Sequence, residues 1–345
     1  MRHTASRRLG RLLTTVLTVL TSLTVVSTSA AGPAAGTEVP ARAATAGPVL
    51  DRNFPDPDLV KVGRTYHAYA TSGNGKNIQH ATSTDLDHWS VADTDPLPAL
   101  GAWVRSDEPR VWAPEVYANG KGYTMLYTAR DRASDKQCIG AALASSPDGP
   151  FRPAGEGPLV CPTGQGGAID AASYTERGHR YMLWKNDGNC CGLDTWLHMQ
   201  ATSWDGTRLT GEPTRLIKQD RDWEGDLVEA PTLVERGGHY VLFYSADAYD
   251  GDRYKTGYAV ASSLTGPYTK AAAPLMTTAT FAGAVTGPGG QDVVTAPDGR
   301  DRIVFHGWSA DRSRRSMYAA DLTFAAGHPV VAGSKALRRA AAEGR

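Results

Sequence analysis

The chain has 345 residues, of which 41% are hydrophobic, with 36 Lys+Arg balanced by 36 Asp+Glu. That length allows one large β domain or two average ones, and the apolar share is enough for a real core. The even charge gives no electrostatic case for nucleic acid or an anionic membrane as partner, and leaves a neutral partner such as a sugar.

The N-terminus reads as a targeting segment. Arg2, Arg7, Arg8 and Arg11 form a basic region, Leu12 to Val26 is apolar but interrupted by threonines, and small residues follow at Ser27 to Ala31. This predicts a secretory signal over residues 1–31, too short in its apolar run for a membrane anchor. The twin arginines hint at one export route, but Gly10 stands where that signal has a bulky apolar residue, so the route stays open. Residues 32–47, rich in Ala, Gly, Pro and Thr, read as a flexible leader.

From residue 48 a repeat organises the chain. Five segments share one plan and begin at Asp56, Trp112, Asp170, Glu229 and Gly287, at steps of 56, 58, 59 and 58 residues. Each opens with a short apolar run, turns through a Gly-containing stretch such as "ANGKG" or "ERGGH", and continues into an aromatic-rich run and then a third run such as "NIQHATS". Short strands at regular spacing predict an all-β fold, and about four strands per unit is the plan of a propeller blade. The expectation is a five-bladed β-propeller with four-stranded blades over residues 48–332, followed by a short tail over 333–345. A β-sandwich with coincidental spacing is the alternative.

Export would permit disulfides among the four cysteines. Cys138 with Cys161 is the preferred pair, because each lies on a β-like run within one repeat. The adjacent Cys190 and Cys191 could close a vicinal ring or stay reduced.

In a propeller the innermost strand of each blade lines a central channel. The first residues of the repeats, Asp56, Trp112, Asp170, Glu229 and Gly287, should therefore meet at one mouth of it. Pro57 should hold Asp56 extended. Crowded carboxylates repel, so a structural purpose for them is hard to find. Carboxyls in unlike environments, by contrast, can divide into a base and an acid, which is what cleavage of a glycosidic bond needs. Trp112 offers a flat face for a sugar ring, and Phe54 is a second aromatic at a blade start. Trp103, Trp184, Trp223 and Trp308 are expected mainly as packing residues. Asp58 reads as structural, on the same strand face as Asp56 but deeper or on the loop side, and is given no role in the chemistry.

The set "PDPDLV" (Pro55 to Val60), "WAPEV" (Trp112 to Val116), "AIDAASY" (Ala168 to Tyr174), "VEAPTLV" (Val228 to Val234) and "GPGGQDVV" (Gly287 to Val294) resembles glycoside hydrolase family 43 in order and spacing. The resemblance implies a five-bladed propeller that hydrolyses arabinofuranosides, xylosides or galactans with inversion. It implies Asp56 as general base, Asp170 as the residue that tunes and orients the acid, and Glu229 as general acid. It also implies His306 near a central calcium ion or water, and Arg315 as a sugar contact. No cofactor is required for the chemistry; a structural calcium is the one metal suggested. Two stretches depart from the pattern: Ala171 stands where a proline is usual, and "KNDGNCCGLDTW" (Lys185 to Trp196) is unusual. The function expected is a secreted, monomeric, exo-acting α-L-arabinofuranosidase acting on plant cell-wall polysaccharide. A β-xylosidase, endo-arabinanase or galactanase, and a non-catalytic sugar-binding propeller, are the alternatives.

Overall fold

The structure, a computed structural model, describes residues 47–332. The signal, all of the leader but Gly47, and the tail lie outside the described residues. The rest forms five four-stranded antiparallel sheets, each ordered as the chain runs. Blade one holds β1 (Asp58–Val62), β2 (Thr65–Ala70), β3 (Gln79–Ser83) and β4 (Ser90–Val91). Blade two holds β5 (Trp112–Ala118), β6 (Tyr123–Arg130), β7 (Gln137–Ala144) and β8 (Arg152–Ala154). Blade three holds β9 (Ala168–Glu176), β10 (His179–Asn186), β11 (Trp196–Thr202) and β12 (Thr214–Lys218). Blade four holds β13 (Val228–Arg236), β14 (His239–Ala246), β15 (Lys255–Ala261) and β16 (Thr269–Lys270). Blade five holds β17 (Thr286–Thr295), β18 (Asp301–Trp308), β19 (Arg315–Ala325) and β20 (His328–Val331). The inner strands β1, β5, β9, β13 and β17 neighbour one another in turn, and β17 returns to β1. This is the five-bladed β-propeller that the repeat predicts.

The middle strands are apolar on both faces because each sheet is sandwiched between two others. Met125 and Tyr127 of β6 pack with Tyr69 and Ile78 of blade one, and Leu242 and Tyr244 of β14 pack with Leu183 and Leu197 of blade three. Burying such side chains stabilises by about 1.5–3 kcal/mol each before the ordering cost is counted. The ring is closed by the chain's own start. The Val49 and Leu50 amides donate to Met317 O and the Phe54 amide to Arg315 O, which covers the first part of β19 left free by β20. An unpaired edge there would invite pairing with another chain.

The five inner strands share a deformation that shapes the site. Asp56, Ala113, Asp170, Ala230 and Gly290 all have left-handed φ, at 54, 40, 56, 49 and 56°. In blades two to five the ladder slips around that residue. Such bulges re-aim side chains, and left-handed non-glycine residues are uncommon and strained. Two expectations change. Pro57 does not hold Asp56 extended: Asp56 takes a left-handed φ despite the bias that proline imposes on the residue before it. The equivalent positions are also Asp56, Ala113, Asp170, Ala230 and Gly290, so Trp112 and Glu229 each stand one residue earlier in their blades.

Candidate active site

A cavity of about 500 Å³ opens at the strand entries, and Asp56, Asp170, Glu229, Trp112 and Arg315 all line it. The repeat brings together residues 250 positions apart, as when the Asp56 amide donates to His306 Nδ1 at 3.1 Å. Phe54 is not among the lining residues. It is fully buried in the core with Tyr66, Leu86 and Met317, so its ring has no surface to offer a sugar. Trp103 stacks on Tyr127 and Trp184 on His198, as packing residues do.

Asp56 is held from three sides. Thr71 Oγ1 donates to Oδ2 at 2.6 Å, Arg315 Nη1 lies 3.4 Å from Oδ1, and His306 Nδ1 lies 3.2 Å from the same oxygen. Burial on its own would raise its pKa. The Arg315 charge and the contacts with His306 and Thr71 outweigh it and hold Asp56 well below the usual carboxylate range. Asp56 is therefore ionised, as a base must be. Arg315 is set by Tyr249, whose ring centroid lies 4.7 Å from the guanidinium.

Asp170 has the opposite environment. Its Oδ2 accepts the Ala230 amide at 3.0 Å. Burial and the Glu229 charge push its pKa up to about 8, against the pull of Lys185. Glu229 accepts at both oxygens, from Lys185 Nζ at 3.1 Å and Tyr254 OH at 2.8 Å. Lys185 is fully buried, and its Nζ also reaches Asn189 Oδ1 at 2.6 Å and Asp187 Oδ1 at 3.5 Å. Burial favours its neutral form, but the charges of Glu229, Asp187 and Asp170 prevail and raise its pKa, so it remains a cation. Two carboxyls in one cavity thus sit in unlike fields, one ionised and one carrying a proton.

Lys185, Tyr254, Thr71 and Tyr249 escape the sequence reading. Lys185 has a signal, since a lysine at the end of a buried middle strand is rare unless it is paired. The other three have none beyond position. Asn189, Cys190 and Cys191 belong to a single turn of 3₁₀ helix, Gly188–Cys191, at the cavity wall. Cys190 and Cys191 are bonded to each other, and Cys138 is bonded to Cys161.

His306 does not fit a calcium site. Its Nδ1 accepts the Asp56 amide, its Nε2 faces Arg315 Nη1 at 3.5 Å, and its ring stacks on Tyr254. A guanidinium beside the ring opposes a cation, and calcium takes six to eight oxygens. Burial and Arg315 lower the His306 pKa, against the pull of the Asp56 carboxylate.

A second layer of acids lies deeper in the channel. Asp58 Oδ2 accepts the Val116 amide at 2.8 Å, Glu115 Oε1 the Ser173 amide at 2.9 Å, and Asp292 Oδ2 the Leu59 amide at 2.9 Å. Each acid ties its own blade to the next. With Asp170 on Ala230, and Gln291 Nε2 donating to Ala230 O, all five inner strands are linked. Crowded carboxyls do therefore have a structural purpose here. They tolerate one another by holding protons: burial and neighbouring acids raise Asp58 and Asp292, the latter to about 7.

A propeller whose channel mouth gathers an ionised and a protonated carboxyl is the architecture of a sugar-cleaving enzyme. Residues 45–328 match the glycosyl hydrolases family 43, and the chain belongs to that family. It is a glycoside hydrolase. It is 28% identical over 304 residues to the extracellular endo-alpha-(1->5)-L-arabinanase 1 of Bacillus subtilis (strain 168), covering 79% of this chain and 86% of that one. It is 32% identical over 211 residues to an extracellular exo-alpha-(1->5)-L-arabinofuranosidase of Streptomyces chartreusis, covering 57% of this chain and 62% of that one. Among solved structures, a thermostable family-43 glycoside hydrolase is similar with a TM-score of 0.72 at 28% identity, covering 81% of this chain and 92% of that one.

Proposed function

We propose that the protein is an extracellular, inverting, exo-acting α-L-arabinofuranosidase that trims arabinose from plant cell-wall polysaccharide. The observation that carries the reading is the contrast in one cavity between Asp56, held ionised by Arg315, His306 and Thr71, and Asp170, whose carboxyl keeps a proton beside Glu229. Asp56 takes a proton from water on one face of the sugar ring, and the water oxygen bonds to the anomeric carbon. Glu229 gives a proton to the leaving oxygen as the glycosidic bond breaks through an oxocarbenium-like state. Asp170 is the proton's resting place and orients Glu229. In an inverting enzyme the two carboxyls stand about 6.5–9.5 Å apart to admit the water, and origins on blades one and four, which are not adjacent, suit such a gap. Trp112 stacks on the sugar and Arg315 contacts its hydroxyls. Relatives described as extracellular support export, and among the described residues no helix is long and apolar enough to cross a membrane.

The exo reading is supported by the loop residues Asn189, Cys190, Tyr249 and Asp250, which add to the lining of the cavity around the carboxyls. The endo reading is favoured by the Bacillus subtilis arabinanase, which this chain matches over 86% of that enzyme's length. Products from linear α-1,5-arabinan separate them. Arabinose as the sole early product supports exo action, and a ladder of oligosaccharides overturns it. No turnover of arabinan or of aryl arabinofuranosides and xylosides, with sugar binding intact, would leave a non-catalytic propeller.

A further inference from the structure

A cluster of metal-binding side chains lies away from the cavity, between blades one and two. His67 on β2 and His80 on β3 are diagonal neighbours, since Tyr69 stands opposite His80 and Thr82 opposite His67. Both imidazoles are buried, at 6% and 2% exposure. Their rings are nearly parallel, with centroids 5.3 Å apart, and Tyr69 also stacks on His80. His67 Nδ1 and His80 Nε2 are turned toward each other at 3.1 Å. The third group comes from the neighbouring blade. Asp148, in the turn between β7 and β8, places Oδ1 3.6 Å from His67 Nδ1 and 4.0 Å from His80 Nε2.

The supporting contacts orient this set. Ser146 Oγ donates to Asp148 Oδ2 at 3.2 Å, which leaves Oδ1 for the imidazoles. Tyr69 OH donates to Pro147 O and so holds the turn against blade one. Ligating carboxylates are commonly hydrogen-bonded in this way. Ligand atoms about 2.0–2.1 Å from a tetrahedral ion lie roughly 3.4 Å from one another, close to the three separations found here. Two imidazole nitrogens and one carboxylate oxygen suit a first-row divalent metal and not calcium or magnesium, which take oxygen. The Asp148 side chain is 63% exposed, so an ion can enter from solvent.

We propose that His67, His80 and Asp148 bind one divalent transition-metal ion of zinc type, with water completing the shell, and that the ion clamps blade one to blade two. Its place outside the cavity makes it a structural clip and not a participant in hydrolysis. Blades so joined are stabilised by an amount that grows with the logarithm of the free ion's excess over its dissociation constant.

The full chain, freed of metal with a chelator and desalted, is titrated with zinc sulfate by calorimetry and melted with and without zinc. Expected are one zinc per chain and a higher melting temperature with zinc. Both should be lost in His80→Gln, and affinity should fall at least about tenfold in Asp148→Ala, which changes only an exposed turn. Cobalt in place of zinc should give the visible absorption of a four-coordinate ion. If zinc does not bind, or binds equally well to His67→Gln, His80→Gln and Asp148→Ala, the site does not exist and the two imidazoles share only a hydrogen bond.

Discussion

Lys185 Nζ lies 3.1 Å from Glu229 Oε2, in a pair whose side chains are 0% and 12% exposed. The lysine stands at the end of β10 in blade three and the glutamate at the start of β13 in blade four. It thus locks to the neighbouring blade the carboxyl proposed as proton donor. Removing one partner of such a pair leaves the other buried and unpaired. Lys185→Met should cost about 3 kcal/mol of stability, read as a lower urea midpoint. It should also lower kcat more than it raises KM, because the carboxyl loses its position. Wild-type kcat in Lys185→Met would show that Glu229 is placed by other contacts.

The proton held beside Glu229 sets the basic side of the activity profile. Asp170 titrates at about 8 because burial and the Glu229 charge disfavour its ionised form. Below that pH Asp170 keeps its proton, and above it the proton is lost, so kcat/KM should fall as pH rises through about 8. Asp56, held below the ordinary carboxylate range by Arg315, His306 and Thr71, should keep the acidic limb below the pH at which free carboxylic acids protonate. Asp170→Asn should shift or remove the basic limb. An unchanged limb in that variant would assign it to another group.

Gly290 packs against Asp56, the proposed base. A Cβ added there would lie 2.6 Å from His306 ring atoms and 2.9 Å from Asp56 Oδ1, on a backbone with φ of 56°. Gly290→Ala combines the cost of a left-handed alanine, roughly 1–2 kcal/mol, with displacement of the Asp56 carboxylate. Activity should drop by at least about tenfold, since a misplacement of about 1 Å can cost a hundredfold in rate. The melting curve should shift only modestly. Full activity would mean that Asp56 does not depend on this contact.

The propeller was legible because each blade repeats one pattern of apolar runs and Gly-rich turns, and local spacing carries that information. Asp56, Asp170 and Glu229 were legible because the repeat brings blade starts to one axis. The register within each blade was not. Asp56, Ala113 and Ala230 precede Pro57, Pro114 and Pro231, and aligning those prolines yields the observed equivalence; aligning the most polar residue shifts Glu229 and Trp112 by one. Phe54 misled because an aromatic beside a site reads the same whether it faces the cavity or the core. Tyr254 was invisible because its meaning lies in contacts with Glu229 and His306, residues distant in sequence, and no periodicity encodes those. Glu115 and Asp292 were obscured for a related reason: an acid that accepts a neighbour's backbone amide looks in sequence like one that does chemistry.

The assignment of Glu229 as proton donor and Asp56 as base is tested most directly by leaving-group dependence. Rates of wild type, Glu229→Gln and Asp56→Ala should be measured on an arabino-oligosaccharide, whose leaving group needs a proton, and on a dinitrophenyl arabinofuranoside, whose leaving group does not. Glu229→Gln should lose at least about a hundredfold on the oligosaccharide and far less on the aryl sugar, while Asp56→Ala loses both. Equal losses on the two substrates in Glu229→Gln, or near-normal cleavage of the oligosaccharide, would contradict the account.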